Sequence, residues 1–143
     1  MHINYVENKN GKLFSFFRHD FKTNTDDEGN FICIDGGHDY QRYSGELKQD
    51  EIENLIEQIR NQFIWGVNFT KDGKKLPKTE YKLLKDLDTD HVINILSYFN
   101  NRAYNSAKDD KINNSKIYID KSWFVIHDIF TQELKYRYIN KIY

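Results

Sequence analysis

The first 45 residues alternate short apolar runs with turn signals, which is the pattern of a small antiparallel sheet. Residues 3–6 and 12–17 are two β-rich runs, and a glycine between them can adopt the positive φ of a hairpin turn. Residues 31–34 form a continuous apolar run between glycine turns, which is typical of a central strand covered on both faces. The weaker alternation of residues 40–43 indicates a fourth strand at an edge.

Helical periodicity begins at residue 50. Asp50 is a favourable N-cap, and Glu53 three residues later completes a capping-box pattern. The apolar face of this helix consists of five residues at helical spacing: Ile52, Leu55, Ile56, Ile59 and Phe63. We expect the helix to end between residues 63 and 66, with Gly66 in the C-cap region.

A second hairpin and a second helix follow. Residues 67–69 and 80–84 are candidate strands, and the Asp72-Gly73 turn and Pro77 lie between them. The second helix is expected to start with Asp88 or Thr89 as its cap. Its predicted core-facing residues are Val92, Ile93, Ile95, Leu96 and Phe99.

The last third of the chain predicts a polar loop and a long helix. Residues 102–115 are polar and are interpreted as a loop. Residues 120–143 predict a long helix whose first half is apolar on nearly all sides, which indicates burial or contact with a partner. The apolar set of this helix is Trp123, Phe124, Val125, Ile126, Ile129, Phe130 and Leu134.

Composition supports a single domain and excludes several classes of protein. The chain has 143 residues, the size of one ordinary domain, and its net charge of -1 argues against a polybasic nucleic-acid binder. The single cysteine, Cys33, excludes a disulfide framework and a cysteine-based zinc site. There is no signal-peptide pattern and no apolar run of membrane-spanning length, so we expect a cytoplasmic protein.

The sequence therefore predicts the α+β class. We expect a single domain over residues 1–143, with a small antiparallel sheet packed by about three helices. Residues 1–45 would be a β-rich N-terminal module, and residues 46–143 a mixed module with a long C-terminal helix. Residues 64–85 would add strands to the sheet of the first module.

Two polar clusters flank the predicted central strand and define a candidate site. The first is the RHD tripeptide at 18–20, and the second is the DGGHD sequence at 35–39. The candidate binding residues are Arg18, His19, Asp20, Asp35, His38, Asp39, Tyr40 and Arg42. Carboxylate oxygens and imidazole nitrogens in one place suit a divalent cation.

A glycine turn nevertheless explains the second cluster better than a metal site does. The glycines at 36–37 can adopt positive φ, Asp35 can form an Asx-turn, and Asp39 can pair with Arg18 or Arg42. No ligand spacing in the cluster matches a metal motif. The sequence therefore predicts no metal, no cofactor and no catalytic residue.

Three other features have a functional and a structural interpretation. His91, flanked by Asp88 and Asp90, suits a general base with a raised pKa, but an N-cap cluster is the commoner explanation. Cys33 between two isoleucines is expected to be buried, and a buried thiol is a poor nucleophile. Residues 135–141 interleave basic and aromatic side chains, which suits binding of single-stranded nucleic acid, or a helix end whose cations complement the helix dipole and whose tyrosines close the core.

Two sequence patterns resemble modules of small accessory proteins of tailed bacteriophages. One is RHDF at 18–21 followed by DGGHDY at 35–40, and the other is WGVN at 65–68 followed by LKDLDTDH at 84–91 and ELKYR at 133–137. In the similar phage proteins the first pattern is interleaved with two cysteine pairs, as in a zinc ribbon. Here Asn10 and Glu28 stand where cysteines would be expected, so the resemblance implies a ribbon that has lost its metal.

The resemblance implies a non-enzymatic phage protein that binds and neutralises a bacterial defence factor, such as a CRISPR effector, in the host cytoplasm. The lack of a nucleophile–base pair and the abundance of tyrosine and phenylalanine also favour binding over catalysis. One alternative is a sponge that sequesters a nucleotide immune signal with Arg18 and Arg42. Another is a metal-dependent phosphodiesterase or nuclease built on the two clusters. Self-association through the C-terminal helix also agrees with the apolar pattern.

Overall fold

The structure is a computed structural model that describes residues 1–37, 40–113 and 121–143, and only the backbone of 102–113 and 121–122. Eight strands and three α-helices lie within these residues. The strands are β1 (His2–Asn8), β2 (Gly11–Phe14), β3 (Asp20–Thr25), β4 (Phe31–Gly36), β5 (Gln41–Ser44), β6 (Lys48–Glu51), β7 (Ile64–Phe69) and β8 (Lys75–Leu83). The helices are α1 (Ile52–Ile59), α2 (Thr89–Asn113) and α3 (Lys121–Ile139), and a 3-10 turn (Leu84–Asp86) precedes α2.

The strands form three small antiparallel sheets, with the orders β2-β1-β6, β3-β4-β5 and β7-β8. The first two sheets contact each other through β1 and β4, and Val6, Ile32 and Ile34 are buried between them. The predicted α+β class is confirmed. The single sheet expected from residues 1–45 and 64–85 is not formed, because β7 and β8 pair only with each other among the described strands.

Strand β4 is central in its sheet, as predicted, but it is covered on one face only. Ile32 and Ile34 point into the small core, whereas Phe31 is 52% exposed and Cys33 is half-buried. The prediction of a doubly covered strand with a buried cysteine is therefore wrong. The second sheet packs on the first through one face, and its other face is open to solvent.

Two strands were not predicted. β3 lacks an apolar alternation because its inward positions hold Lys22 and Asn24. β6 pairs with β1 and places Asp50 opposite Ile3, so Asp50 is a strand residue and not the helix N-cap. The helix begins two residues later, at Ile52.

The apolar face predicted for α1 is confirmed, since Ile52, Leu55, Ile56 and Ile59 are all buried. The helix ends at Ile59, earlier than expected, and Gly66 lies in β7 and not at a C-cap. The hairpin of β7 and β8 is confirmed around the predicted turn. One detail differs from expectation, since β8 begins before Pro77 and therefore includes it.

Helix α2 is much longer than predicted. The backbone of residues 102–113 continues the helix, so the loop expected there is not formed, and 114–115 lie outside the described residues. On α2, Val92, Ile95 and Phe99 face the core as predicted, whereas Ile93 is exposed. The long C-terminal helix is confirmed as α3, with its predicted start at residue 120 outside the described residues.

The main core joins the first sheet to the three helices. Its centre is Phe63, which contacts Phe16 at 5.1 Å and Phe130 at 5.6 Å between ring centroids, both edge to face. Helix α3 contributes Val125, Ile129 and Phe130 to this core, but Phe124 is exposed. None of the described helices is long and apolar enough to cross a membrane.

Candidate functional site

The first polar cluster forms the turn between β2 and β3, and Asp20 holds that turn. The Oδ2 atom of Asp20 accepts hydrogen bonds from the backbone N–H groups of Phe16 and Phe17, at 2.9 and 3.1 Å. The backbone N–H of Asp20 donates to the carbonyl of Phe17 at 3.0 Å. Arg18 and His19 lie exposed at the tip of the turn. The carboxylate of Asp20 is therefore a structural cap for the turn.

The second cluster contains an exposed ion pair. Asp35 on β4 lies opposite Arg42 on β5, and Arg42 Nη2 is 3.3 Å from Asp35 Oδ2. The Arg42 side chain is 72% exposed and that of Asp35 29% exposed. The guanidinium carbon of Arg42 lies 5.9 Å from the ring centroid of the exposed Tyr40. His38 and Asp39, the other two predicted site residues of this cluster, lie outside the described residues.

The glycine pair brings the two clusters together through the backbone. Gly36 has a φ of +108°, and a Cβ atom added there would lie 2.0 Å from the carbonyl oxygen of Tyr40. A Cβ atom on Gly37 would lie 3.1 Å from the backbone nitrogen of Arg18. The prediction of positive φ thus holds for Gly36 and is wrong for Gly37, where a side chain would contact the Arg18 backbone tightly.

The solvent side of the second sheet carries aromatic residues that the sequence did not single out. We call this surface the outer face and define it by the following residues: Phe21, Thr23, Thr25, Phe31, Cys33, Asp35 and Arg42. The strand register places Phe21 opposite Asp35 and Thr25 opposite Phe31. Phe21 is 67% exposed and Phe31 is 52% exposed. All four residues of the sequence FICI are apolar, so the sequence does not show that Phe31 faces solvent.

The described carboxylates of the two clusters do not converge on one point. Asp20 accepts from two backbone amides, and Asp35 pairs with Arg42. Within residues 1–37, 40–113 and 121–143, no group of three or more histidine, cysteine, aspartate or glutamate side chains is arranged to hold a metal ion. What these side chains offer is a mixed charged and aromatic surface.

His91 lines a separate cavity of about 1000 Å³ between β8 and the first turn of α2. Burial lowers the pKa of His91, and the nearby Asp88 opposes that effect. The imidazole is therefore neutral near pH 7, which differs from the raised pKa that a general base beside two acids would show. Among the described hydrogen bonds, none joins a serine, threonine or cysteine side chain to a histidine ring.

The basic and aromatic C-terminal segment divides into a buried and an exposed part. Arg137 is buried, and its guanidinium donates to Glu133 Oε1 at 2.8 Å, to Thr89 Oγ1 at 3.0 Å and to the carbonyl of Leu84 at 2.8 Å. Arg137 therefore helps to close the core, whereas the structural interpretation of this segment gave that role to the tyrosines. Four residues at the end of the chain are exposed: Tyr138, Ile139, Ile142 and Tyr143. Self-association through this helix stays a prediction.

Comparisons with protein-family models, with curated proteins and with solved structures gave no match.

Proposed function

We propose that the protein acts by binding a protein partner through the outer face, without catalysis. The partner that the phage resemblance favours is a bacterial defence factor, such as a CRISPR effector, encountered in the host cytoplasm. The observation that carries the proposal is the exposure of Phe21 and Phe31 on the same open sheet face as Arg42.

Aromatic rings that are exposed to water are unfavourable relative to rings that are buried in an interface. Burying the apolar surface of each outer-face phenylalanine against a partner would stabilise the complex by about 25 cal/mol per Å². Aromatic and arginine side chains are enriched among the residues that contribute most to protein interfaces. Phe21, Phe31 and Arg42 therefore supply both an apolar centre and a charged rim, which suits recognition of a protein surface.

Strand β5 offers a second mode of contact beside the outer face. β5 is an edge of its sheet, with no partner strand on its far side among the described residues. Tyr43 on this strand is 50% exposed. An extended segment of a partner can pair with such an edge, while the neighbouring side chains determine specificity.

The proposal is tested by a plating assay. Bacterial strains that each carry one defence system, including CRISPR systems, are made to express the protein and are challenged with a phage that the system restricts. We expect the wild type to restore plating in at least one strain. The double variant Phe21→Ser/Phe31→Ser should fold normally and fail to restore plating, because it removes apolar contact area and no core contact.

Phe69→Ser is the matched control, since Phe69 is a comparably exposed phenylalanine on β7 of a different sheet. We expect this variant to act like the wild type. If the wild type restores plating in no strain, the defence role is wrong. If the double variant acts like the wild type, the outer face is not the binding surface.

A further inference from the structure

A second cavity, of about 520 Å³, lies on the opposite side of β3 from the outer face. One wall comes from the segment that includes Phe16, Phe17 and Lys22, and the other comes from the β7–β8 hairpin with Trp65 and Tyr81. Its volume is within the range of small-molecule sites in proteins, about 300–1,000 Å³. We call it the aromatic cavity.

The aromatic walls are held in place from behind. Phe17 and Trp65 both pack on the core residue Phe63, with ring centroids 5.5 and 6.1 Å away, and Trp65 also meets Phe130 edge to face at 5.0 Å. Rings fixed in this way lose little conformational entropy when a ligand binds between them. The cavity is therefore formed in advance of binding.

Gly66 lies beside Tyr81 at the mouth of the cavity. The two residues face each other across the hairpin, and a Cβ atom on Gly66 would lie 3.5 Å from Cε1 of the Tyr81 ring. The missing side chain leaves the space that the tyrosine ring covers. Tyr81 is 74% exposed and lines the cavity, so one edge of the site is open to solvent.

Lys22 contributes one positive charge. Its Nζ atom is shielded from solvent, has no hydrogen-bond partner among the described residues and lies 4.7 Å from the ring centroid of Phe16. Burial lowers the pKa of Lys22, and the nearby Asp20 carboxylate opposes that effect. A buried ammonium group without an acceptor is unfavourable, and a ligand oxygen that accepts its hydrogen bond would relieve that cost.

We propose that the aromatic cavity binds a small planar aromatic molecule with a single negative charge. Its ring lies between Phe17 and Trp65, and the Lys22 side chain, whose Nζ atom is shielded from solvent in this structure, turns toward the anionic group and donates a hydrogen bond to it. One negative charge is favoured over two because Asp20 also lines the cavity and repels a second one. This site is independent of the outer face, since Lys22 and Phe21 point to opposite sides of β3.

The test compares two probes by titration calorimetry, 1-naphthoate and its uncharged analogue 1-naphthamide. We expect saturable binding of 1-naphthoate by the wild type. Lys22→Met should weaken it at least about tenfold, because a hydrogen bond to a charged group is lost, while binding of 1-naphthamide changes little. Lys78→Met, a change to an exposed lysine on β8, is the matched control and should bind 1-naphthoate like the wild type.

Two further measurements locate the site and its charge preference. Amide and indole NMR shifts of Gly66 and Trp65 should move with 1-naphthoate. At the same probe concentration they should move less in Tyr81→Ala, which removes one edge of the site and remains informative if Lys22→Met does not fold. Phe21→Ser/Phe31→Ser should bind the probe normally. Adenosine 5′-monophosphate, with a charge of about −2 at pH 7, should bind more weakly than 1-naphthoate. Tighter binding of the nucleotide, shifts confined to the outer face, or no saturable binding of 1-naphthoate would overturn the proposal.

Discussion

The chain uses an arginine–carboxylate pair in two regions, and the two pairs differ mainly in their exposure to water. In the helical region, Arg60 and Arg137 both bind Glu133, which is 0% exposed, with nitrogen–oxygen distances of 2.8–3.3 Å. On the outer face, Arg42 binds Asp35 at 3.3 Å while its side chain is 72% exposed. The two regions have similar nitrogen–oxygen distances, but their ion pairs contribute differently to the free energy of unfolding. Water screens the exposed pair and largely spares the buried one.

The buried cluster connects four elements of the helical region. Glu133 on α3 binds Arg60 at the end of α1, and Arg137 reaches Thr89 at the start of α2 and the carbonyl of Leu84. The hydrogen bond to Glu133 raises the pKa of Arg60 despite the opposing effect of burial. Such a network fixes how the helices sit on one another, whereas the outer pair leaves Arg42 available for a partner.

Glu133→Gln is the variant with the largest expected effect. Removing the carboxylate deprives the buried Arg137 and the largely buried Arg60 of the anion that they share, and breaking a buried pair in this way costs about 3–5 kcal/mol. Chemical denaturation should therefore show a large loss in the free energy of unfolding. Glu57→Gln, on the exposed side of α1, should stay within about 0.5 kcal/mol of the wild type. A loss of less than about 1 kcal/mol for Glu133→Gln would show that burial does not distinguish the two pairs.

Asp26 is an intermediate case, a buried carboxylate bound by amides and not by an arginine. Its oxygens accept from the backbone N–H groups of Lys9, Glu28 and Asn30 and from the Asn30 side chain, at 2.9–3.2 Å. Burial opposes ionisation, but the hydrogen bonds from Asn30, Lys9 and Glu28 prevail and lower the pKa of Asp26. These bonds join the β1–β2 turn to the β3–β4 turn, where the phage resemblance would place metal ligands.

The lowered pKa of Asp26 predicts the sign of a pH effect. A carboxyl group whose pKa is lower in the folded state stabilises the protein above the unfolded-state pKa, near pH 4, and loses this contribution as the pH falls through the folded-state value. Asp26→Asn should therefore melt below the wild type at pH 7, and the two melting curves should converge in acid. The exposed neighbour Asp27 supplies the control, since Asp27→Asn should melt close to the wild type across the whole range.

The sequence predicted elements whose pattern reflects burial and missed those stabilised by distant partners. The apolar face of α1 was predictable because its residues recur at helical spacing and all of them are buried. Strand β3 was not, because its inward Asn24 is satisfied by Asn8 and Asn10 of another hairpin. Glu133 and Arg137 resemble an exposed i,i+4 pair in sequence, but contacts with α1, the 3-10 turn and the start of α2 bury them.

Some residues of the outer face could be identified from the sequence and others could not. Asp35 and Arg42 were singled out by charge, and the strand register does place them opposite each other. Phe21 and Phe31 were missed because the sequence does not distinguish an exposed phenylalanine from a buried one. Only the packing of the sheet shows which face is open to solvent. Lys22 was missed because neither its burial nor its aromatic neighbours on β7 and β8 are local in sequence.

Arg42→Ala is expected to have the smallest effect on stability and a large effect on binding. An exposed ion pair contributes about 1 kcal/mol or less, so the melting temperature should stay close to that of the wild type. Truncating an arginine that a partner surrounds can cost about 2 kcal/mol or more of binding free energy, because the desolvated contacts are lost together.

Thermal unfolding and partner binding are measured on the same preparation of Arg42→Ala. Lys75→Ala, an exposed cation on β8, should change neither quantity. Normal binding by Arg42→Ala would show that Arg42 is not part of the recognition surface. A clearly lower melting temperature would show that the Asp35–Arg42 pair is a structural contact, as the pairs of Glu133 are.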